Sequence, residues 1–175
     1  MKIVLLGYMG SGKSIIGKKL SEKLHYNFYD LDDLIEKEEA MSVAELFLLK
    51  GEIYFRKIEH QIFATLLSNS DDFVLSLGGG TPCYSNNHLL LKNPNIVSVY
   101  LSASVNTLFE RLQNEQSRRP LIADLNHEQL KDFIAKNSFE RSYFYNQASF
   151  KVIVDGKNID QITAEIENLS TQNSG

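Results

Sequence analysis

Two kinds of apolar pattern alternate along the chain. Short, mostly apolar runs fall at residues 2–6, 27–29, 73–77, 96–101 and 151–154. Runs of this length suit strands covered on both faces. Between them, apolar residues recur at helical spacing: Ile16, Leu20 and Leu24, then Ile58, Ile62 and Leu66, and near the end Ile159, Ile162, Ile166 and Leu169. Each set marks a helix with one buried stripe. Ser42-Val43-Ala44-Glu45 has the spacing of a capping box and predicts a separate short helix running to Lys50, ahead of Gly51. Strands alternating with amphipathic helices predict an α/β domain with a mostly parallel sheet. Residues 114–129 fit neither pattern: they are polar, hold adjacent arginines and a proline, and form a candidate mobile lid. Residues 1–169 are expected to form one domain, and the polar tail 170–175 to fray.

Composition narrows the partners. At 175 residues, 43% hydrophobic and 23% charged, the chain has the make-up of a soluble globular protein, and no apolar run reaches the ~18 to 20 residues of a membrane span. The amino terminus passes from Met1-Lys2 straight into a strand-like run, without the pattern of a targeting peptide. A single cysteine, Cys83, excludes an internal disulfide and favours the cytoplasm. The net charge of −4 argues against a nucleic-acid partner. A monomer is expected. Only five arginines are present, Arg56, Arg111, Arg118, Arg119 and Arg141, so anionic ligands must be held by a few well-placed cations.

Gly7-Tyr8-Met9-Gly10-Ser11-Gly12-Lys13-Ser14 fits the phosphate-loop pattern G-x-x-x-x-G-K-[ST], with a predicted strand before it and a predicted helix after it. Glycines let the backbone wrap phosphate oxygens, and the helix amino terminus points amides at the anion. Nucleotide contacts are therefore expected from Gly10, Ser11, Gly12, Lys13, Ser14 and Ile15, with Lys13 reaching the β and γ phosphates and the Ser14 hydroxyl ligating Mg²⁺. The guanine-reading segment Asn-Lys-x-Asp is absent, which favours ATP.

Asp30, Asp32 and Asp33 follow the second predicted strand. If the strand persists, Asp30 and Asp32 face the same side, and two carboxylates held together call for a cation or a hydroxyl donor between them. Asp33 is expected to cap a helix over residues 34–39. Arg56 and Glu59, three apart on a predicted helix, can pair, which would present the guanidinium fork to a carboxylate or would form only a solvated surface pair. Gly78-Gly79-Gly80 sits after the third strand, where open α/β sheets bind ligands. Arg119, in the polar loop, could close over a transferring phosphoryl group. Arg141, with Tyr145 four residues on, belongs to a later helix.

Together the phosphate loop, Phe28-Tyr29-Asp30-Leu31-Asp32, Phe55-Arg56-x-x-Glu59, Leu77-Gly78-Gly79-Gly80, Arg119-Pro120-Leu121 and Arg141-x-x-x-Tyr145 resemble the ordered motif set of the shikimate kinase family, over residues 1 to about 169. The resemblance implies a three-layer α/β/α P-loop kinase fold with a five-stranded parallel sheet in the order 2-3-1-4-5. It also implies the reaction: ATP and shikimate give ADP and shikimate 3-phosphate, in the route to aromatic amino acids. Carried over by position, Asp32, Arg56, Gly78, Gly79, Gly80 and Arg141 would bind shikimate, with Arg56 and Arg141 on its carboxylate. Asp30 and Ser14 would support Mg²⁺, and Arg119 would be the lid arginine. Lys13, Asp32 and Arg119 would carry the catalysis. Two stretches depart from the family pattern: Thr81-Pro82-Cys83 replaces small apolar residues, and Asp155-Gly156-Lys157-Asn158 lacks an arginine placed near adenine in many members. The competing readings are a gluconate-kinase-like sugar-acid kinase and a non-catalytic nucleotide-binding protein.

Overall fold

A computed structural model describes residues 1–119 and 121–172, with Arg118 and Gln172 described in the backbone only. The elements run β1 (Lys2–Leu6), α1 (Lys13–Leu24), β2 (Asn27–Asp30), α2 (Leu31–Glu39), α3 (Val43–Leu49), α4 (Gly51–Ser68), β3 (Phe73–Ser76), α5 (Asn87–Leu90), β4 (Ile96–Ser102), α6 (Val105–Leu112), α7 (His127–Tyr145), β5 (Phe150–Ile153) and α8 (Ile159–Gln172). Single 3₁₀ turns lie at Thr81–Cys83 and Gln116–Arg118.

All the strands pair in parallel, in the order β2-β3-β1-β4-β5. Parallel pairing needs a crossover between neighbours, and the helices supply it on both faces. The period-2 alternation of a strand divides the core. Val4 and Leu6 of β1 face the layer of α2, α3, α4, α6 and α7, where Leu31, Ile35, Leu46, Phe63, Leu108, Leu112, Leu130 and Ile134 are buried. Ile3 and Leu5 face the opposite layer, where Ile16 and Leu20 of α1 pack with Ile162 and Ile166 of α8. Among the described residues no helix is long and apolar enough to cross a membrane.

In-register pairing brings the carboxyl ends of the strands to one edge. Asp30 of β2 and Leu5 of β1 both align with Ser76 of β3, and Leu6 aligns with Tyr100 of β4. Open parallel sheets bind ligands at that edge.

The capping box at Ser42 forms as expected: the Ser42 side chain accepts from Glu45 N, and Glu45 Oε2 accepts from Ser42 N at 2.8 Å. α3 then ends at Leu49, and Gly51, with φ of 82°, turns the chain directly into α4. Three expectations need correction. The helix after β2 begins at Leu31 rather than residue 34, and Asp30 caps it by accepting from Asp32 N, so Asp33 lies exposed in the first turn and caps nothing. The lid stretch is shorter than 114–129, because Asn126 and Gln129 form a second capping box that starts α7 at His127. That stretch is also tied inward: Ile122 is fully buried, and Gln116 Nε2 donates to the carbonyls of Ile122 and Leu125 at 2.9 and 2.8 Å. Lastly, α8 continues past residue 169. Ser170 is 1% exposed and donates to Glu167 O, which holds the final turn, while residues 173–175 lie outside the described part of the chain.

Candidate active site

The glycine loop between β1 and α1 is forced by its backbone. Gly10 and Gly12 have φ of 81° and 96°, and a Cβ on Gly7 would lie 2.7 Å from Leu101 O. Gly12 is the N-cap of α1 and makes no side-chain cap bond, so no side chain satisfies the first amides of the helix. An anion at this end would meet both the free amides and the positive end of the helix dipole. Lys13 curls back beneath the loop and donates to Gly7 O at 2.9 Å and Tyr8 O at 3.0 Å. Burial lowers its pKa to about 8, against the opposing pull of the Asp32 and Asp30 carboxylates. Ser11 Oγ is buried without a hydrogen-bond partner inside the loop, and Ile15 stands exposed at the mouth.

A cleft of about 660 Å³ opens over this loop. It is walled by Gly10, Gly12, Lys13, Ser14 and Ile15, by Asp30, Asp32, Gly78 and Gly79, and by Arg111, Glu115 and Arg119. Its volume is within the range of small-molecule sites. Asp30 and Asp32 do face one space, though not by strand alternation, since β2 ends at Asp30 and Asp32 lies in the first turn of α2. The cap geometry brings them together. Asp30 Oδ1 accepts from Asp32 N at 3.1 Å, and Asp30 Oδ2 accepts from Ser14 Oγ at 2.7 Å, with Ser76 Oγ 3.4 Å from Ser14 Oγ. Burial, followed by the repulsion of Asp30 and Glu59, pushes the Asp32 carboxyl up to about 6.

Each of the three glycines after β3 has a polar side chain close to where a Cβ would stand. A Cβ on Gly78 would sit 3.0 Å from Asp32 Oδ1, one on Gly79 would sit 3.4 Å from Arg141 Nη1, and one on Gly80 would sit 2.9 Å from Arg56 Nη2. Hence Asp32, Arg141 and Arg56 converge in order on consecutive backbone positions. Arg56 and Arg141 lie beyond the wall of the 660 Å³ cleft and flank Cys83, whose thiol burial pushes up to about 11. Arg56 Nη1 donates to Glu59 Oε2 at 2.8 Å, with Glu59 only 1% exposed, so this is an interior pair and not a solvated one. Tyr145 Oη donates to Gly79 O at 2.6 Å and holds the turn from below.

Arg119 reaches the cleft but is parked, with Nε and Nη2 donating to Glu115 Oε2 at 3.0 and 2.7 Å. The neighbouring Pro120 of the predicted motif lies outside the described residues. Three features escaped the sequence. Arg111 Nη1 donates to Gly10 O at 2.9 Å and braces the phosphate loop from α6. The scarcity of arginine drew notice to Arg111, but a contact across 101 residues leaves no local pattern. Glu115 was legible in principle as a partner four residues before Arg119. Ile159 and Ile162, read only as a buried helix stripe, line the far end of the cleft beside Lys157 and Asn158, where Lys157 pairs with Glu165 at 2.5 Å.

With a phosphate loop on β1 and sheet order 2-3-1-4-5, the fold is that of the P-loop kinases. A sequence profile of the family described as shikimate kinase matches residues 9–170. The chain belongs to the shikimate kinase family. It is 54% identical to the shikimate kinase of Flavobacterium johnsoniae over 165 residues, 94% of this chain and 96% of that one. The crystal structure of shikimate kinase from Bacteroides thetaiotaomicron superposes with a TM-score of 0.89 at 32% identity, covering 100% of this chain and 99% of the other. Shikimate kinase from Acinetobacter baumannii, solved in complex with shikimate, gives 0.85 at 29% identity over 98% and 93% of the two chains.

Proposed function

We propose that this chain transfers the γ-phosphoryl group of ATP to a hydroxyl of shikimate, giving ADP and shikimate 3-phosphate in aromatic amino acid biosynthesis. The observation that carries the reading is the convergence of Asp32, Arg141 and Arg56 on Gly78, Gly79 and Gly80, one proton acceptor and two cations, beside a phosphate loop. A ligand with a hydroxyl at one end and a carboxylate at the other suits that order.

In this reading Gly10, Ser11, Gly12, Ser14 and Ile15 hold the nucleotide through backbone amides and the start of α1. Lys13 leaves the Gly7 and Tyr8 carbonyls to donate to the β and γ phosphates. Asp32 orients the acceptor hydroxyl and takes its proton as the new P–O bond forms and the bond to ADP breaks. Arg119 moves from Glu115 onto the transferring group, and the stretch between α6 and α7 acts as its lid within one kinase domain. Because the transition state is loose, positioning and charge neutralisation do most of the work.

The donor set also suits Mg²⁺. Among the described residues no three or more His, Cys, Asp or Glu side chains gather to hold a metal by themselves, whereas Mg²⁺ favours one or two carboxylates with phosphate oxygens and water. Ser14 and Asp30, hydrogen-bonded to each other, would hold it, Asp30 directly or through water. Bound there, the ion would neutralise charge on the β and γ phosphates. A cytoplasmic monomer completes the proposal, the compartment supported by the lone cysteine.

Arg56→Lys tests the carboxylate clamp. An ammonium is a point charge without the guanidinium fork, and losing one charge-assisted hydrogen bond costs roughly 1.5 to 3 kcal/mol. The KM for shikimate should rise about ten- to hundredfold while that for ATP barely moves. A shikimate analogue with a neutral group in place of the carboxylate should bind wild type and variant about equally poorly. Loss of ATP affinity instead would remove Arg56 from the clamp.

A further inference from the structure

The stretch Thr81-Pro82-Cys83, read from sequence as a departure from the family pattern, and Tyr84 after it are wired into the Arg56 pair. Thr81 is fully buried, and its hydroxyl donates to Glu59 Oε1 at 2.6 Å, while the other oxygen, Oε2, accepts from Arg56 Nη1 at 2.8 Å. Both oxygens of an almost wholly buried carboxylate are thus satisfied, one from the glycine turn and one from the guanidinium. Thr81 is itself pinned: its amide donates to Gly78 O at 3.1 Å, and Asn87 Nδ2 donates to its carbonyl at 2.9 Å. Asn87, also fully buried, closes the ring through Oδ1, 2.7 Å from Nδ1 of His60, the residue that follows Glu59 on α4. The ring therefore starts and ends on α4 and passes through the turn that carries the three glycines.

Tyr84 acts on the same guanidinium from another direction. Its ring centroid lies 3.9 Å from Arg56 Cζ, nearer than those of Phe55 at 5.1 Å and Phe47 at 5.9 Å. Arg56 Nε makes no hydrogen bond and lies 3.5 Å from Glu52 Oε1. The plane of the guanidinium is accordingly set by the Glu59 pair at its edge and by Tyr84 on its face.

We propose that Thr81 is a positioning residue for substrate recognition: through Glu59 it fixes the guanidinium of Arg56 in the plane that receives a carboxylate, and Tyr84 holds that plane from its face. The proposal rests on the reading of Arg56 as the carboxylate clamp. Without the Thr81 hydroxyl, Glu59 Oε1 is a buried acceptor with no donor, and the carboxylate is free to rotate, which releases Arg56.

Steady-state kinetics of Thr81→Val, Thr81→Ser, Tyr84→Leu and Tyr84→Phe, with Arg56→Ala as reference, test it. Thr81→Val should raise the KM for shikimate about five- to thirtyfold and leave the KM for ATP within about twofold, and Thr81→Ser should restore it. Tyr84→Leu should raise the same KM about two- to tenfold, with Tyr84→Phe close to wild type. If Arg56→Ala leaves the KM for shikimate unchanged, the clamp reading itself falls and the proposal with it. If Arg56→Ala raises that KM and Thr81→Val does not, or if Thr81→Val raises both KM values alike, the clamp stands and the role of Thr81 is overturned. Should circular dichroism show Thr81→Val unfolded, the partly exposed Tyr84 decides, and an unchanged KM for shikimate in Tyr84→Leu overturns the proposal.

Discussion

Asp32→Asn is expected to lose about 10²- to 10⁴-fold in kcat and at the same time to melt at a higher temperature than wild type. The amide keeps the size of the side chain and its place against Gly78 but cannot take the hydroxyl proton. The stability gain follows from the sign of the pKa shift. Burial, with Asp30 and Glu59 next, holds the Asp32 carboxyl at about 6 in the folded protein, above its ordinary value of 3.8. The native state therefore binds more protons than the unfolded chain between those values. Stability from this group is full below the lower pKa and is lost as pH rises through about 6. At neutral pH wild type carries the whole penalty and the variant none of it, so its melting temperature should rise by roughly 2 to 4 °C or more, and the fall in stability between about pH 4 and pH 6 should flatten. Differential scanning calorimetry across that pH range checks the second half. If the variant melted lower at neutral pH, Asp32 would be a structural carboxylate. If calorimetry found ATP binding lost and shikimate binding intact, Asp32 would belong to the metal site.

Lys13→Ala should be nearly inactive, with kcat down by at least about 10²- to 10³-fold, and should still fold. In the proposed reading the buried lysine neutralises phosphate charge, where one donor is worth more than in water. Its ligand-free state supports retention of the fold. Burial holds the ammonium at about 8, below its ordinary 10.5, so the folded protein carries a desolvated charge. That cost is present at neutral pH and relaxes as pH rises through about 8 towards the unfolded value. Removing the side chain also leaves the buried Gly7 and Tyr8 carbonyls without this donor, which offsets part of that relief. Turnover near the wild-type value would contradict the assigned role, and the measurement is kcat at saturating ATP with the melting temperature recorded in parallel.

The sequence disclosed most where the chemistry is contiguous. The phosphate loop is eight adjacent residues whose glycines, lysine and serine carry their own reason for their spacing, and its place between β1 and α1 matched the structure. The strands were legible because a parallel sheet buried on both faces leaves mostly apolar runs. The start of α2 was misread because three aspartates compete for one cap. Sequence favours the last, but Asp30 alone has the extended backbone, with φ of −107° and ψ of 129°, that aims a carboxylate at the following amides. The Asn126–Gln129 box that shortens the lid was equally local and was masked by the polar stretch around it. Contacts between distant segments were out of reach. Arg111 on Gly10 and Thr81 on Glu59 join residues 101 and 22 positions apart, and only the packed sheet edge brings them together. The triple glycine was read as a place for a ligand. The side chains nearest to it are those of Asp32, Arg141 and Arg56.

The central claim is the identity of the acceptor, and ADP release measured with ATP, Mg²⁺ and a panel of hydroxy acids tests it most directly. The panel should include shikimate, gluconate and a blank without acceptor, with the phosphorylated product weighed by mass spectrometry. Turnover with shikimate well above the gluconate and blank rates, giving a product heavier by one phosphoryl group, is the predicted result. Turnover with gluconate and not shikimate, or ADP release unaffected by any acceptor, would contradict it.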